Sequence, residues 1–290
     1  MAYPTAFCSP TRRSEMWEAL QFDFMKNALA AGVLTSVICG VVGTLVVVNR
    51  IVFISGGIAH AAYGGIGLAF YLGIPPALGA TLFSLAVSML MGVASVKSKE
   101  RADTIIGVMW AIGMALGIIL IELSPGYSVD LMSYLFGSIL SVPRLDIWYM
   151  CGLALGVIVI IALFYREFIA MSYDEEFAAV AGVPVRLLYF TLLGLISLSV
   201  VMIIRVVGLI LVIALLTIPP YIAEKYVKSL GRMMIVASCL GILFTLTGLW
   251  VSYLYNLTSG ATIIMVGGVG FFLSLGLDAI TTRMKPSRQS

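Results

Sequence analysis

Apolar runs of about 20 residues recur from one end of this chain to the other, and that repetition limits its fold more than any other feature. A bilayer core is about 30 Å thick, and an α-helix crosses it with about 20 apolar residues. In lipid every backbone amide must find its partner inside the structure, so only helices and closed barrels span. A barrel would show short alternating segments; the runs here are long and continuous. They predict spans at 27–49, 52–72, 76–97, 104–122, 146–165, 187–204, 206–223, 233–254 and 259–280. The fold class is therefore all-α, a polytopic transmembrane helix bundle of about nine spans. A shorter apolar piece, Leu131 to Val142, cannot cross and reads as a re-entrant or half helix. The apolar stretch from Leu187 to Pro220 is too long for one span and is divided at Arg205, read as an anchor snorkelling at the outer rim.

Only 11% of the 290 residues are charged, against about 25% in a soluble domain. No loop is long enough to bury a core of its own, so residues 27–282 form a single transmembrane domain. Residues 1–26 are a polar N-terminal segment without the apolar core of a cleavable signal, and Glu15 to Phe24 has the pattern of a helix lying at the interface. Residues 283–290 are a tail. Cys8, Cys39, Cys151 and Cys239 are too scattered for a disulfide framework or a metal clip and read as small packing residues.

Basic residues orient the bundle. With the C-terminus inside, twelve Lys and Arg fall on the inner side and five on the outer, among them Arg144 and Arg205, so the N-terminus lies outside. The net charge of +3 thus reports topology and a multi-pass place in the cell membrane, and implies no nucleic-acid partner.

His60 is the single histidine, and it falls within a predicted span. At 1.5 Å per residue it lies roughly 12–14 Å in, near the midplane. An ionisable group at that depth is costly and marks a candidate functional site. Gly56, Gly57, Gly64 and Gly67 flank it at helical spacing, with Tyr63 one turn on and Ser55 just before. Such a glycine face permits close helix contact or an open path. One imidazole makes a weak metal site, since stable zinc sites use three or four ligands, but a conduction path needs weak contacts that release. Asp and Glu all sit at span ends or in loops, which counts against a carrier driven by protons or sodium.

Between two spans, Met171 to Pro184 reads as a short helix with Asp174, Glu175 and Glu176 at its start and Gly182 beyond its end. Phe177 and Ala178 give it an apolar side that suits docking to another protein. The chain carries no nucleotide-binding signature, and one histidine far from any carboxylate excludes a Ser/His/Asp arrangement. It is no enzyme by this reading, and any energy from ATP comes from a separate chain.

Six segments, in order, resemble the metal-cation (zinc/manganese/iron) family of ABC transporter permeases over roughly residues 22–282. Phe24 to Leu29 resembles that family's entry to its first span, Gly56 to Ala61 its G-D-A-x-[SA]-H-A element, and Arg101 to Gly107 its E-D-x-x-I-G turn. Tyr134 to Leu140 is similar to Y-L-F-G-x-I-L, Asp174 to Gly182 to the ATPase-coupling loop, and Val207 to Pro219 to V-G-x-x-L-V…L-x-x-P. The family's element carries an aspartate four residues before the histidine, where this chain has Gly56. The resemblance implies a homodimeric permease for a divalent transition metal, with a cytoplasmic ABC ATPase docked near 168–185 on Asp174, Glu175, Glu176, Phe177, Ala178 and Gly182. It also implies an extracytoplasmic metal-binding protein as partner. His60, with Ser55 and Tyr63, would touch the metal in transit; the metal is cargo, and no permanently bound cofactor is expected. An ABC permease for a metal chelate or other small solute, a stand-alone secondary carrier and a non-transporting scaffold are the competing readings.

Overall fold

The structure is a computed structural model that describes residues 22–124, 137 and 139–284, the side chains of 99 and 280–284 excepted. The interfacial segment before residue 22, most of the short piece 131–142 and the tail beyond 284 therefore lie outside the described residues.

Eleven α-helices and no strand are present among the described residues. They are α1 (Asp23–Val48), α2 (Val52–Leu72), α3 (Pro76–Lys97), α4 (Ala102–Glu122), α5 (Arg144–Leu163), α6 (Tyr165–Tyr173), α7 (Glu175–Val180), α8 (Val185–Val207), α9 (Leu209–Tyr226), α10 (Leu230–Tyr255) and α11 (Ser259–Met284). Nine of these are long and apolar enough to cross a membrane, which makes the chain a multi-pass membrane protein, and α6 and α7 are the two that are not. A single 3-10 turn at Ile139–Ser141 is what the described residues show of the short apolar piece.

Span limits follow local chemistry. Pro75 and Pro76 open α3, where a missing amide hydrogen costs nothing. The division of the long apolar stretch falls at Gly208, three residues beyond Arg205. Its backbone has φ of 83°, a conformation costly for any residue with a Cβ, so the helix stops there and restarts at Leu209. Arg205 stays inside the last turn of α8 and pairs with Asp146 at 3.6 Å rather than reaching out alone.

Helices α1 and α2 are the most enclosed, and the rest pack around them. Hydroxyls inside the bundle are satisfied by carbonyls one turn back: Ser36 donates to Gly32 and Thr44 to Gly40. Ser36 also meets Thr245 of α10 at 3.1 Å.

Glycine decides how closely helices approach. A Cβ on Gly117 of α4 would stand 2.5 Å from the Tyr63 carbonyl oxygen, and one on Gly113 would stand 3.0 Å from the Ala61 Cα. The glycine face of α2 is thus a contact seam against α4, not an open path, and it takes up the Gly113-x-x-x-Gly117 spacing. At the similar Gly152-x-x-x-Gly156 spacing on α5, no atom of another helix among the described residues comes within 4 Å of either added Cβ.

Gly117→Leu should therefore destabilise the bundle by about 2 kcal/mol or more, because backbone rather than a flexible side chain blocks the new atoms. Gly152→Leu should change little. Thermal unfolding in detergent, followed by fluorescence-detected size exclusion, separates the two outcomes.

Candidate functional site

Helix α2 carries His60 with its ring at the edge of the bundle. From Ile54 to Gly67 every residue is buried except His60, which is half-buried. Nδ1 lies 2.9 Å from the Gly56 carbonyl oxygen. A carbonyl only accepts, so Nδ1 carries the hydrogen, and in the neutral ring the lone pair sits on Nε2. A buried-type backbone hydrogen bond and partial exposure thus coexist, and both orient the imidazole.

The side chain against that ring is Trp110 of α4, with ring centroids 3.9 Å apart and planes inclined by 30°. Trp110 donates from Nε1 to the Met114 sulfur at 3.3 Å, and Phe53 lies 5.9 Å from it, centroid to centroid. Nothing in the sequence marked Trp110. It lies fifty positions from His60, and only the seam between α2 and α4 brings them together.

Ser55 is wholly buried, and its hydroxyl donates to the Val52 carbonyl. Tyr63 is buried as well. The described residues contain no group of three or more His, Cys, Asp or Glu that could hold a metal ion.

At the end of the bundle that carries α6 and α7, Asp174 caps α7 by accepting a hydrogen bond from the Phe177 amide at 2.9 Å. Gly182, at φ of 87°, turns the chain out of that helix. Ala178 is wholly buried and seats the segment on the bundle, while Phe177 and Val180 point outward. Three bonds tie this segment to distant helices. Asn49, at the end of α1, donates to the Ser172 hydroxyl, Tyr173 donates to the Lys228 carbonyl, and the Gly231 amide donates to the Tyr165 hydroxyl. Beside the segment, a cavity of about 530 Å³ is lined by Arg50, Ser95, Asp103, Glu175, Arg186 and Tyr189.

The opposite end is pinned by Arg144 on Asp23 at 2.9 Å and Asn27 on the Val142 carbonyl at 3.2 Å. A Cβ on Gly137 would run into the Val207–Gly208 backbone, and Gly208, at φ of 83°, has a conformation costly for any residue with a Cβ.

Comparison with known proteins gives consistent results. The sequence matches the ABC 3 transport family over residues 21–278. It is 52% identical to an uncharacterised membrane protein of Synechocystis over 92% of this chain and 95% of that one. It is 34% identical to the manganese transport system membrane protein MntC of Listeria monocytogenes, over 88% of this chain and 91% of MntC. The structure of PsaBC from Streptococcus pneumoniae in complex with Fab superposes with a TM-score of 0.81 and 30% identity, covering 90% of this chain and 95% of that chain. A match over residues 21–278, together with relatives aligned over 91% or more of their own length, places the chain in the ABC 3 transport family.

Proposed function

We propose that this chain is the membrane-spanning permease subunit of an ATP-binding-cassette importer for a divalent transition metal. Zinc, manganese and iron are the candidate cargoes. Two copies form the pathway, a separate cytoplasmic ATPase drives it, and an extracytoplasmic binding protein delivers the ion. The C-terminus faces the cytoplasm, because Arg50, Lys97, Arg101, Arg166, Arg186, Lys225 and Arg232 gather at the end that carries α6 and α7.

One observation carries the reading. Between Ile54 and Gly67 of the most enclosed span, His60 is the one residue not fully buried; it lies about 12 Å along the helix from Val52, with a ring nitrogen available for a passing cation. A lone imidazole binds weakly enough to release, as conduction demands. Ser55 and Tyr63, buried behind it, act through the packing of α2 rather than as ligands.

Helix α7 suits the coupling role. Asp174, Glu175 and Glu176 start it, Ala178 anchors it, Gly182 ends it, and Phe177 and Val180 stand free for a partner. The bonds from Asn49, Tyr173 and Tyr165 link movement of that segment to α1 and to the start of α10. ATP hydrolysis belongs to the partner, and this chain is not itself an enzyme.

His60→Ala in the complete reconstituted transporter should lower ATP-driven metal uptake at least about tenfold with ATPase binding intact. Unchanged uptake removes His60 from the path, and uptake of a chelate in place of any free metal favours the chelate reading. Phe177→Asp combined with Val180→Asp should weaken ATPase co-purification at least about tenfold, as expected for apolar anchors at a docking site. Persistent co-purification at equal size-exclusion profile would sink the docking assignment.

A further inference from the structure

Trp110 covers two positions of α2 at once. Its ring stacks on His60, and among the described residues outside its own turn of helix a Cβ added at Gly56 would meet, within 4 Å, Cζ3 of the same ring at 3.8 Å. Positions 56, 57, 63 and 64 share the helix face of the imidazole, and of these Gly56 is the one whose side of the helix Trp110 covers. Position 56 holds no side chain, so no carboxylate stands beside the ring from that position. Trp110 is itself fixed, by its Nε1 hydrogen bond to Met114 and by Phe53 packed against it. The layer around His60 therefore contains an imidazole nitrogen, an aromatic face and, one hydrogen bond away, a thioether sulfur.

We infer that Trp110 is a positioning and selectivity residue: it sets the plane of His60 in a layer to which position 56 adds no carboxylate, and that layer favours zinc-class ions over manganese. The inference rests on the reading of His60 as the cargo contact. Ligand chemistry supplies the direction. Imidazole and thioether suit zinc, copper and iron, whereas manganese is held best by carboxylate and carbonyl oxygen. The stack on Trp110 restricts rotation of the imidazole, so Nε2 is presented in one direction rather than several.

Space exists to rebuild the missing group. A Cβ at position 56 makes an ordinary van der Waals contact and no clash. Gly56→Asp should therefore be accommodated, with a carboxylate one helical turn from His60, and Gly56→Asn gives the same size without the charge.

Equilibrium retention of radiolabelled zinc and of radiolabelled manganese, each supplied alone to the permease–ATPase complex in nanodiscs, tests the inference. Wild type should retain zinc over manganese by about tenfold or more. Gly56→Asp should raise manganese retention by about tenfold, and Gly56→Asn should not. Trp110→Ala should narrow the zinc preference, and Trp110→Phe, which keeps a stacking ring, should hold most of it. Equal retention of the two metals by wild type overturns the inference, as does a zinc-to-manganese ratio that Trp110→Ala and Trp110→Phe both leave unchanged. His60→Ala separates the two levels. If it abolishes retention while the Trp110 variants keep the wild-type ratio, only the role of Trp110 falls; if it changes neither metal, the reading of His60 falls with it.

Discussion

The approach of α2 to α4 is the contact on which the rest of the candidate site depends. Glycine at 113 and 117 lets the α4 backbone meet that of Ala61 and Tyr63 with no side chain between. Without a hydrophobic drive between helices in lipid, such close van der Waals contact is what holds spans together. The same approach sets the rotation of α4, and rotation is what lays Trp110 across His60. A glycine seam at one level and an aromatic stack at the next are consequences of one geometry.

The two ends of the bundle are built differently. One is pinned by ion pairs and by the Gly137–Gly208 approach, where Asp23, Arg144, Asp146 and Arg205 join α1, α5 and α8. The other holds α6, the helix just before the short capped α7, on hydrogen bonds that reach α1 and the loop and first turn before and within α10. The exposed Asp23–Arg144 pair adds little stability, whereas Arg205 meets a buried Asp146. A segment held by a few directional bonds, with Ala178 as its buried foot, is well placed to pass a push from outside the bundle into it.

At the centre the chemistry is spare. His60 brings one nitrogen, its own backbone supplies the carbonyl that holds it, and its neighbours are aromatic and thioether groups. On the proposed reading, one such contact offsets little of an ion's lost hydration, so retention would be weak and release easy. Membership of the ABC 3 transport family gives the architecture, and Gly56 leaves position 56 without a side chain.

The sequence by itself determined the number and the approximate limits of the spans, because bilayer thickness writes a fixed apolar length into the chain. It also placed the exit of α7 at Gly182, since a glycine exit acts within a few residues, while the separation of α6 from α7 at the Asp174 cap came from the structure. It singled out His60 because a lone imidazole among apolar residues is costly wherever the helices lie. Only the tertiary structure decided what surrounds that ring. Trp110 meets His60 through helix rotation and crossing, Arg205 finds Asp146 across sixty residues, and the break between α8 and α9 moves to Gly208 where the backbone can turn. The glycines of α2 were compatible with a seam or a path, and close packing against α4 made them a seam. Local periodicity records how deep a residue lies and says nothing of which neighbour it faces; facing is set by packing between helices distant in sequence.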